Sequence, residues 1–128
     1  MILVRDSKPE DAHHVRSTFI HTLKRRVGDK HPTDELVDTI ELCLANGEVR
    51  VAHLDTDTEA ITGWCASSGN VLIYVHVKPA FRAGRCGDHI GSMLVRDACL
   101  VSPVTCPYLT HNGAALLAAL GLEVADVR

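Results

Sequence analysis

Residues Val71–Gly87, VLIYVHVKPAFRAGRCG, carry an apolar strand into a Lys-Pro stop and on into a loop with two arginines and two glycines. A helical pattern opens directly after it. The continuous apolar run reads as a central strand covered on both faces. The loop joins that strand to a helix N-terminus. Backbone N–H groups in such a loop and in the first helical turn offer partial positive charge, and glycine lets the backbone approach a ligand closely. The arrangement suits a phosphorylated cofactor. Lys78, Arg82 and Arg85 also read as a plain solvated turn, so the loop carries weight only together with the elements around it.

The rest of the chain sets bounds on that reading. Its 128 residues are expected to form one domain, 1–128. A domain of this size buries roughly two-thirds of its unfolded surface and needs neither metal nor disulfide to fold. The net charge of −3 argues against general nucleic-acid binding. No window approaches the about 20 apolar residues of a membrane span. Met1–Val4, interrupted by Arg5 and Asp6, is too short for a secretory core. The expectation is a cytoplasmic protein. Five cysteines without CxxC spacing read as reduced thiols, mostly small buried hydrophobes. Eight histidines include no HExxH and no Cys/His pairing, and His13 and His14 cannot share one helix face; no metal site is expected.

Ile2–Arg5 reads as a short strand. Ser7-Lys8-Pro9-Glu10-Asp11 then starts a helix, with Ser7 as the candidate cap, proline in the first turn and acids at the positive end of the dipole. Val15, Phe19, Ile20 and Leu23 mark its apolar face, and Lys24, Arg25 and Arg26 its basic end. After a break at Gly28–Pro32, Thr33-Asp34-Glu35 opens a second helix that Asn46-Gly47 ends in a left-handed turn. Glu48–Leu54 alternates as a strand, with Val49, Val51 and His53 on one face. Asp55–Glu59 is an acidic turn, and Ala60–Ala66 completes a hairpin. Past Val71–Val77, Gly87–Leu100 reads as a helix. Val104–Leu109 is a short strand bounded by prolines, Asn112–Leu120 a helix stopped by Gly121, and Leu122–Val127 a last strand. The order β-α-α-β-β-β-α-β-α-β describes an α/β (α+β) domain, a mixed, mostly antiparallel sheet with helices on its faces.

This order, with a phosphate loop after the fourth strand, resembles the GNAT N-acetyltransferase superfamily over almost the whole chain. Val75-His76-Val77-Lys78-Pro79-Ala80-Phe81-Arg82 is similar to the family's "V-x-V-x-P-x-[FY]-R" strand end, and VLIYVHVKPAFR is similar to small phage-encoded members. Leu120-Gly121-Leu122 resembles the family's "L-G-F", and Arg5 through Asp11 its first strand and "P-x-D" helix start. Anchored on Phe81, the family's pyrophosphate loop "[QR]-x-x-G-x-[GA]" falls on Arg82, Ala83, Gly84, Arg85, Cys86 and Gly87. Arg82 and Gly87 fit, and Arg85 stands where the middle glycine belongs. Ile90-Gly91-Ser92-Met93-Leu94 also resembles "I-G-S-x-L", which leaves the loop register open by a few residues.

The resemblance implies acetyl-CoA as cofactor, held by this loop and by backbone groups around Val75, His76 and Val77, with Asn112 beside the cofactor channel. It implies direct attack of an amine, of a small molecule or a protein, on the acetyl thioester, with strand N–H groups polarising the carbonyl. The family often places a tyrosine general acid on the helix before "L-G-F"; the matching position here is Leu117. Substitute proton carriers are Tyr108 and His111 at the end of the fifth strand and His76, which shares a strand face with Tyr74. Cys86, beside Arg85 near a helix N-terminus, is a thiol whose pKa would fall. Family members commonly carry a further strand after the last one seen here, and a second copy completing a homodimer would cover that sheet edge. Three readings stay open: an N-acetyltransferase, a GNAT-fold binding or inhibitory module without catalysis, and a module using another acyl-CoA.

Overall fold

The computed structural model describes residues 2–27, 33–81, 90–106 and 111–125; within these, the side chains of 22–27, 33–36 and 111–113 lie outside the description. The elements are β1 (Ile2–Asp6), α1 (Ala12–Val27), α2 (Thr33–Ala45), β2 (Val49–Leu54), β3 (Asp57–Ser68), β4 (Val71–Val77), α3 (Ile90–Asp97) and α4 (His111–Ala119). The strands form one antiparallel sheet in the order β1-β2-β3-β4. Two parallel bridges extend it, Val71 to Thr105 and Val104 to Val124. The mixed α+β class is therefore observed, and the expected element order holds through α3, with α4 following.

Several local expectations are corrected. Val104–Leu109 and Leu122–Val127 contribute single bridges among the described residues rather than strands. The acidic turn shrinks to Asp55 and Thr56, and β3 begins at Asp57, earlier than its apolar pattern. α3 ends at Asp97, three residues before the Gly87–Leu100 pattern does, and the start of that pattern lies outside the described residues. Ser7 does not cap α1. Its N–H donates to the Val49 carbonyl at 2.9 Å, and a 3-10 turn, Pro9–Asp11, precedes the helix. Asp11 reaches back to accept the Lys8 N–H at 2.7 Å and is clamped by Arg5 at 2.7 and 3.2 Å.

The sheet has two differently built faces. On one, Val15 and Phe19 of α1 and Ile40 and Cys43 of α2 cover Val49, Val51, Trp64 and Tyr74. Phe19 meets Trp64 and Tyr74 edge-on, with centroids 6.0 and 5.1 Å apart, the geometry aromatic quadrupoles favour. The Trp64 Nε1–H donates to Thr18 Oγ1 at 2.8 Å, tying the floor to α1.

On the other face, Ile90, Leu94 and Val95 of α3 and Leu117 of α4 cover Ala52, Cys65 and Leu72. Here α3 sits directly on Gly63: a Cβ at that position would lie 2.7 Å from the His76 carbonyl oxygen and 3.3 Å from Ile90 Cγ2. Gly121 ends α4 at φ +72°. Its N–H bonds the Ala118 carbonyl while the Leu122 N–H bonds the Leu117 carbonyl, a Schellman closure that glycine adopts without Cβ strain. The Leu120-Gly121-Leu122 motif thus acts as a helix stop that turns the chain toward Val124.

Cys43, Cys65 and Cys106 are buried free thiols and Cys99 is an exposed one. Complete burial pushes the Cys65 thiol up to about 12. Cys86 lies outside the described residues. Among them, no three His, Cys, Asp or Glu side chains converge on a metal position, and no helix is long and apolar enough to cross a membrane.

Candidate functional site

The geometry centres on the second half of β4. Pairing with β3 keeps one register from Val77 back to Tyr74, opposite Gly63 to Ala66, then shifts so that Leu72 lies opposite Ser67. Ile73 is the extra residue of a β-bulge. The bulge puts Ile73 and Tyr74 on the same, aromatic face, while Leu72, Val75 and Val77 lie on the aliphatic one.

The bulge also reverses which backbone groups face outward. Upstream of it, the Leu72 N–H points away from β3 and donates to Thr105 O at 2.8 Å. Downstream, the Lys78 N–H points toward β3 and donates to Thr62 O at 2.8 Å. Since direction alternates along a strand, the N–H and C=O groups of Val75 and Val77 face away from β3, on the side where the chain through Thr105 runs.

That neighbouring chain is held at its start by Asn70. The Asn70 amide donates to the carbonyls of Val101 and Pro103 at 2.7 and 2.8 Å and accepts the Val101 N–H at 2.7 Å. The Thr105 N–H donates to the Asn70 carbonyl at 3.2 Å. The far side of Val104 is bonded to Glu123 and Ala125.

Half-buried Phe81 and fully buried Ile90, on either side of residues 82–89, both belong to the aliphatic core. Between them, Arg82, Ala83, Gly84, Arg85, Cys86 and Gly87 lie outside the described residues, as does Tyr108. His111 and Asn112 form the start of α4, with side chains outside the description. Gly91, in the first turn of α3, faces Leu116 of α4: a Cβ there would lie 3.2 Å from Leu116 Cδ2 and 3.7 Å from Val77 Cγ2. The end of β4, the start of α3 and the inner side of α4 thus converge.

Leu117 is fully buried among aliphatic side chains, so that helix position presents no group to solvent or ligand. His76 is buried as well, stacked on Trp64 at 6.0 Å and 30°, on the face opposite α3.

His14, in the first turn of α1, is half-buried, and burial together with the nearby Lys78 ammonium holds its imidazole below the usual histidine range, with Asp11 acting the other way.

No family model matches this chain, and no curated protein matches it. Solved structures do. AAC(6')-Iy, in complex with the bisubstrate analogue CoA-S-monomethyl-acetylneamine, superposes with a TM-score of 0.61 at 15% identity, over 100% of this chain and 95% of that one. A ribosomal-protein-alanine N-acetyltransferase from Brucella melitensis biovar Abortus gives 0.60 at 15% identity, over 100% and 96%. A GNAT family acetyltransferase from Brucella melitensis in complex with acetyl-CoA gives 0.51 at 18% identity, over 99% and 77%. With its bulged fourth strand, parallel bridge and helix order, this chain has the fold of the GNAT acetyltransferases.

Proposed function

We propose that the protein is an acetyl-CoA-dependent N-acetyltransferase acting on a primary amine of a small molecule or a protein. The observation that carries this reading is the bulge at Ile73, which turns the Val75 and Val77 backbone groups outward along β4, in a fold shared with proteins solved with acetyl-CoA or a CoA-linked analogue. Acetyl-CoA supplies an activated acetyl thioester. The outward amides suit an extended pantetheine arm and the polarisation of a thioester carbonyl, because fixed backbone donors need no reorganisation as negative charge develops. Arg82, Ala83, Gly84, Arg85, Cys86 and Gly87, between the anchored Phe81 and Ile90, are assigned to the pyrophosphate, where N–H groups and guanidinium forks favour an anion.

Tyr108 and His111 are the assigned donors of a proton to the leaving thiolate. His76, on the aromatic face, supports the strand end from behind. Both acceptor classes have counterparts among the similar folds, an acetylneamine bisubstrate analogue and a ribosomal-protein alanine.

The buried Leu117 favours a second reading, a binding module that keeps the cofactor without turnover. Thermal unfolding with acetyl-CoA separates the cases. Ligand at 100 times its dissociation constant adds about 2.7 kcal/mol, a shift of several degrees. The shift is expected in the wild type and lost in Arg82→Ala. A shift without turnover on any amine supports the binding module; no shift at millimolar acetyl-CoA overturns both.

A further inference from the structure

We propose that Asn46 is a self-modification site, whose side-chain amide is displaced by the backbone nitrogen of Gly47 so that the end of α2 converts in solvent to an aspartyl or isoaspartyl linkage. The inference is independent of the acetyl-transfer reading. α2 ends at Ala45, and Asn46-Gly47 carries the chain toward β2. Gly47 stands at φ +69°, with nothing within 4 Å of where a Cβ would lie. Its N–H reaches the Leu44 carbonyl only at 3.4 Å, beyond the ordinary range of such a bond. The Asn46 side chain is exposed and has no hydrogen-bond partner among the described residues. Nucleophile and electrophile are thus adjacent, uncovered and weakly held. Helix ends open at little cost, which supplies the rotation about the Asn46 backbone that ring closure needs.

The other asparagines set the contrast. The Asn70 side chain donates to the Val101 and Pro103 carbonyls and accepts the Val101 N–H. It is also followed by β-branched Val71, which crowds the backbone nitrogen that would have to attack. Asn112-Gly113 repeats the sequence pair, but both residues lie inside α4, where the helical backbone resists the rotation. Asn46 combines the glycine with a helix end that is free to turn.

In the reaction the Gly47 N–H gives its proton to solvent hydroxide, and the nitrogen attacks Asn46 Cγ. The new C–N bond closes a succinimide ring. The bond from Cγ to the side-chain nitrogen breaks, and that nitrogen leaves as ammonia with a proton from water. Water then adds to either imide carbonyl. Opening on one side leaves aspartate in an ordinary backbone; opening on the other routes the backbone through the side chain and lengthens it by one atom. No oxidant or reductant enters. Either product puts a carboxylate at the negative end of the α2 dipole, near Glu48, where it is unfavourable. The longer backbone also breaks the closure in which the Glu48 N–H meets the Cys43 carbonyl at 2.8 Å. The Glu48 carbonyl accepts the Ser67 N–H at 3.1 Å, so the change reaches the start of the β2–β3 ladder.

The test incubates the full chain at mildly alkaline pH, in buffer and in urea, and follows each asparagine by peptide mapping with mass spectrometry. In buffer Asn46 should convert first, about 100-fold faster than Asn70, whose hydrogen bonds must open beforehand. It should give two isomeric product peptides, with ammonia released in step. Asn46→Gln, whose longer side chain closes the ring poorly, should abolish that early ammonia and keep the wild-type melting temperature. Asn46→Asp, which carries the charge of the product, should melt about 2 °C lower. Conversion of Asn70 or Asn112 ahead of Asn46 overturns the proposal. So does an Asn46 that stays intact in buffer while converting in urea, since the turn would then protect it. An Asn46→Asp chain that melts with the wild type overturns the effect on α2.

Discussion

The two faces of the sheet solve the same packing problem with different means. Under α1 and α2 the floor is aromatic, and polar bonds hold it to the helix: Trp64 to Thr18, and Thr18 to the backbone. Under α3 and α4 it is aliphatic, and closeness holds it, with α3 lying against Gly63. The aromatic face tolerates distance because large rings fill it. The aliphatic face has no such slack, and the start of α3 inherits its position from one missing Cβ. Rigidity at the start of α3 therefore comes from backbone contact, and rigidity along α1 from side-chain hydrogen bonds.

Substitutions can break this contrast in order of severity. Trp64→Ala should cost about 4 kcal/mol, since it empties the fully buried centre of the aromatic face and strands the Thr18 hydroxyl. Urea denaturation measures it; a loss below 1 kcal/mol would mean that the rings are not the floor. Gly63→Ala should cost about 3 kcal/mol by the same assay, because the clash is with the His76 carbonyl, a backbone atom that cannot rotate away. It should also weaken acetyl-CoA binding, which Trp64→Ala should disturb less.

Asp11→Asn should cost about 2 kcal/mol, and its pH dependence has a definite sign. Burial alone would raise the Asp11 pKa, but the hydrogen bonds from Arg5 and from the Lys8 N–H outweigh it and hold the carboxyl below its ordinary value. Its contribution is then complete above the unfolded carboxylate pKa and lost as pH falls through the folded one. The gap between wild type and variant should close in acid and stay constant at neutral pH. The mildest test is chemical. At pH 8, residue-resolved alkylation should label exposed Cys99 and spare Cys65, whose thiol sits near 12 beneath α3; rapid labelling of Cys65 would show that the aliphatic face opens.

Much of this architecture was legible from residue pattern. The alternation of Val49–Leu54, the helical spacing of Val15 and Phe19, and the left-handed stop at Gly47, φ +69°, each express a local rule. What escaped had no local signal. Val104 and Thr105 pair in parallel with residues far away in sequence, and the contact is one bridge deep. β3 begins with exposed Asp57-Thr58-Glu59, where no apolar period announces a strand. Ser7 has the composition of a cap, but the far end of its motif, Asp11, closes the turn by accepting the Lys8 N–H, held there by Arg5 from β1. The bulge at Ile73 is invisible in VLIYVHV because a strand apolar on both faces has no alternation to interrupt. The Arg82–Gly87 reading lies outside the described residues and stands on the anchors either side of it.

The bulge also has a consequence for how this site can change over time. The two halves of β4 are out of phase by a single residue, so the outward groups at Val75 and Val77 are set by an odd-even count along the chain. Replacing a side chain leaves that parity untouched. Removing or inserting one residue near Ile73 flips it, turning the outward amides toward β3. A surface specified by counting can drift freely in composition and still be inherited intact, and its vulnerable mutations are changes of length.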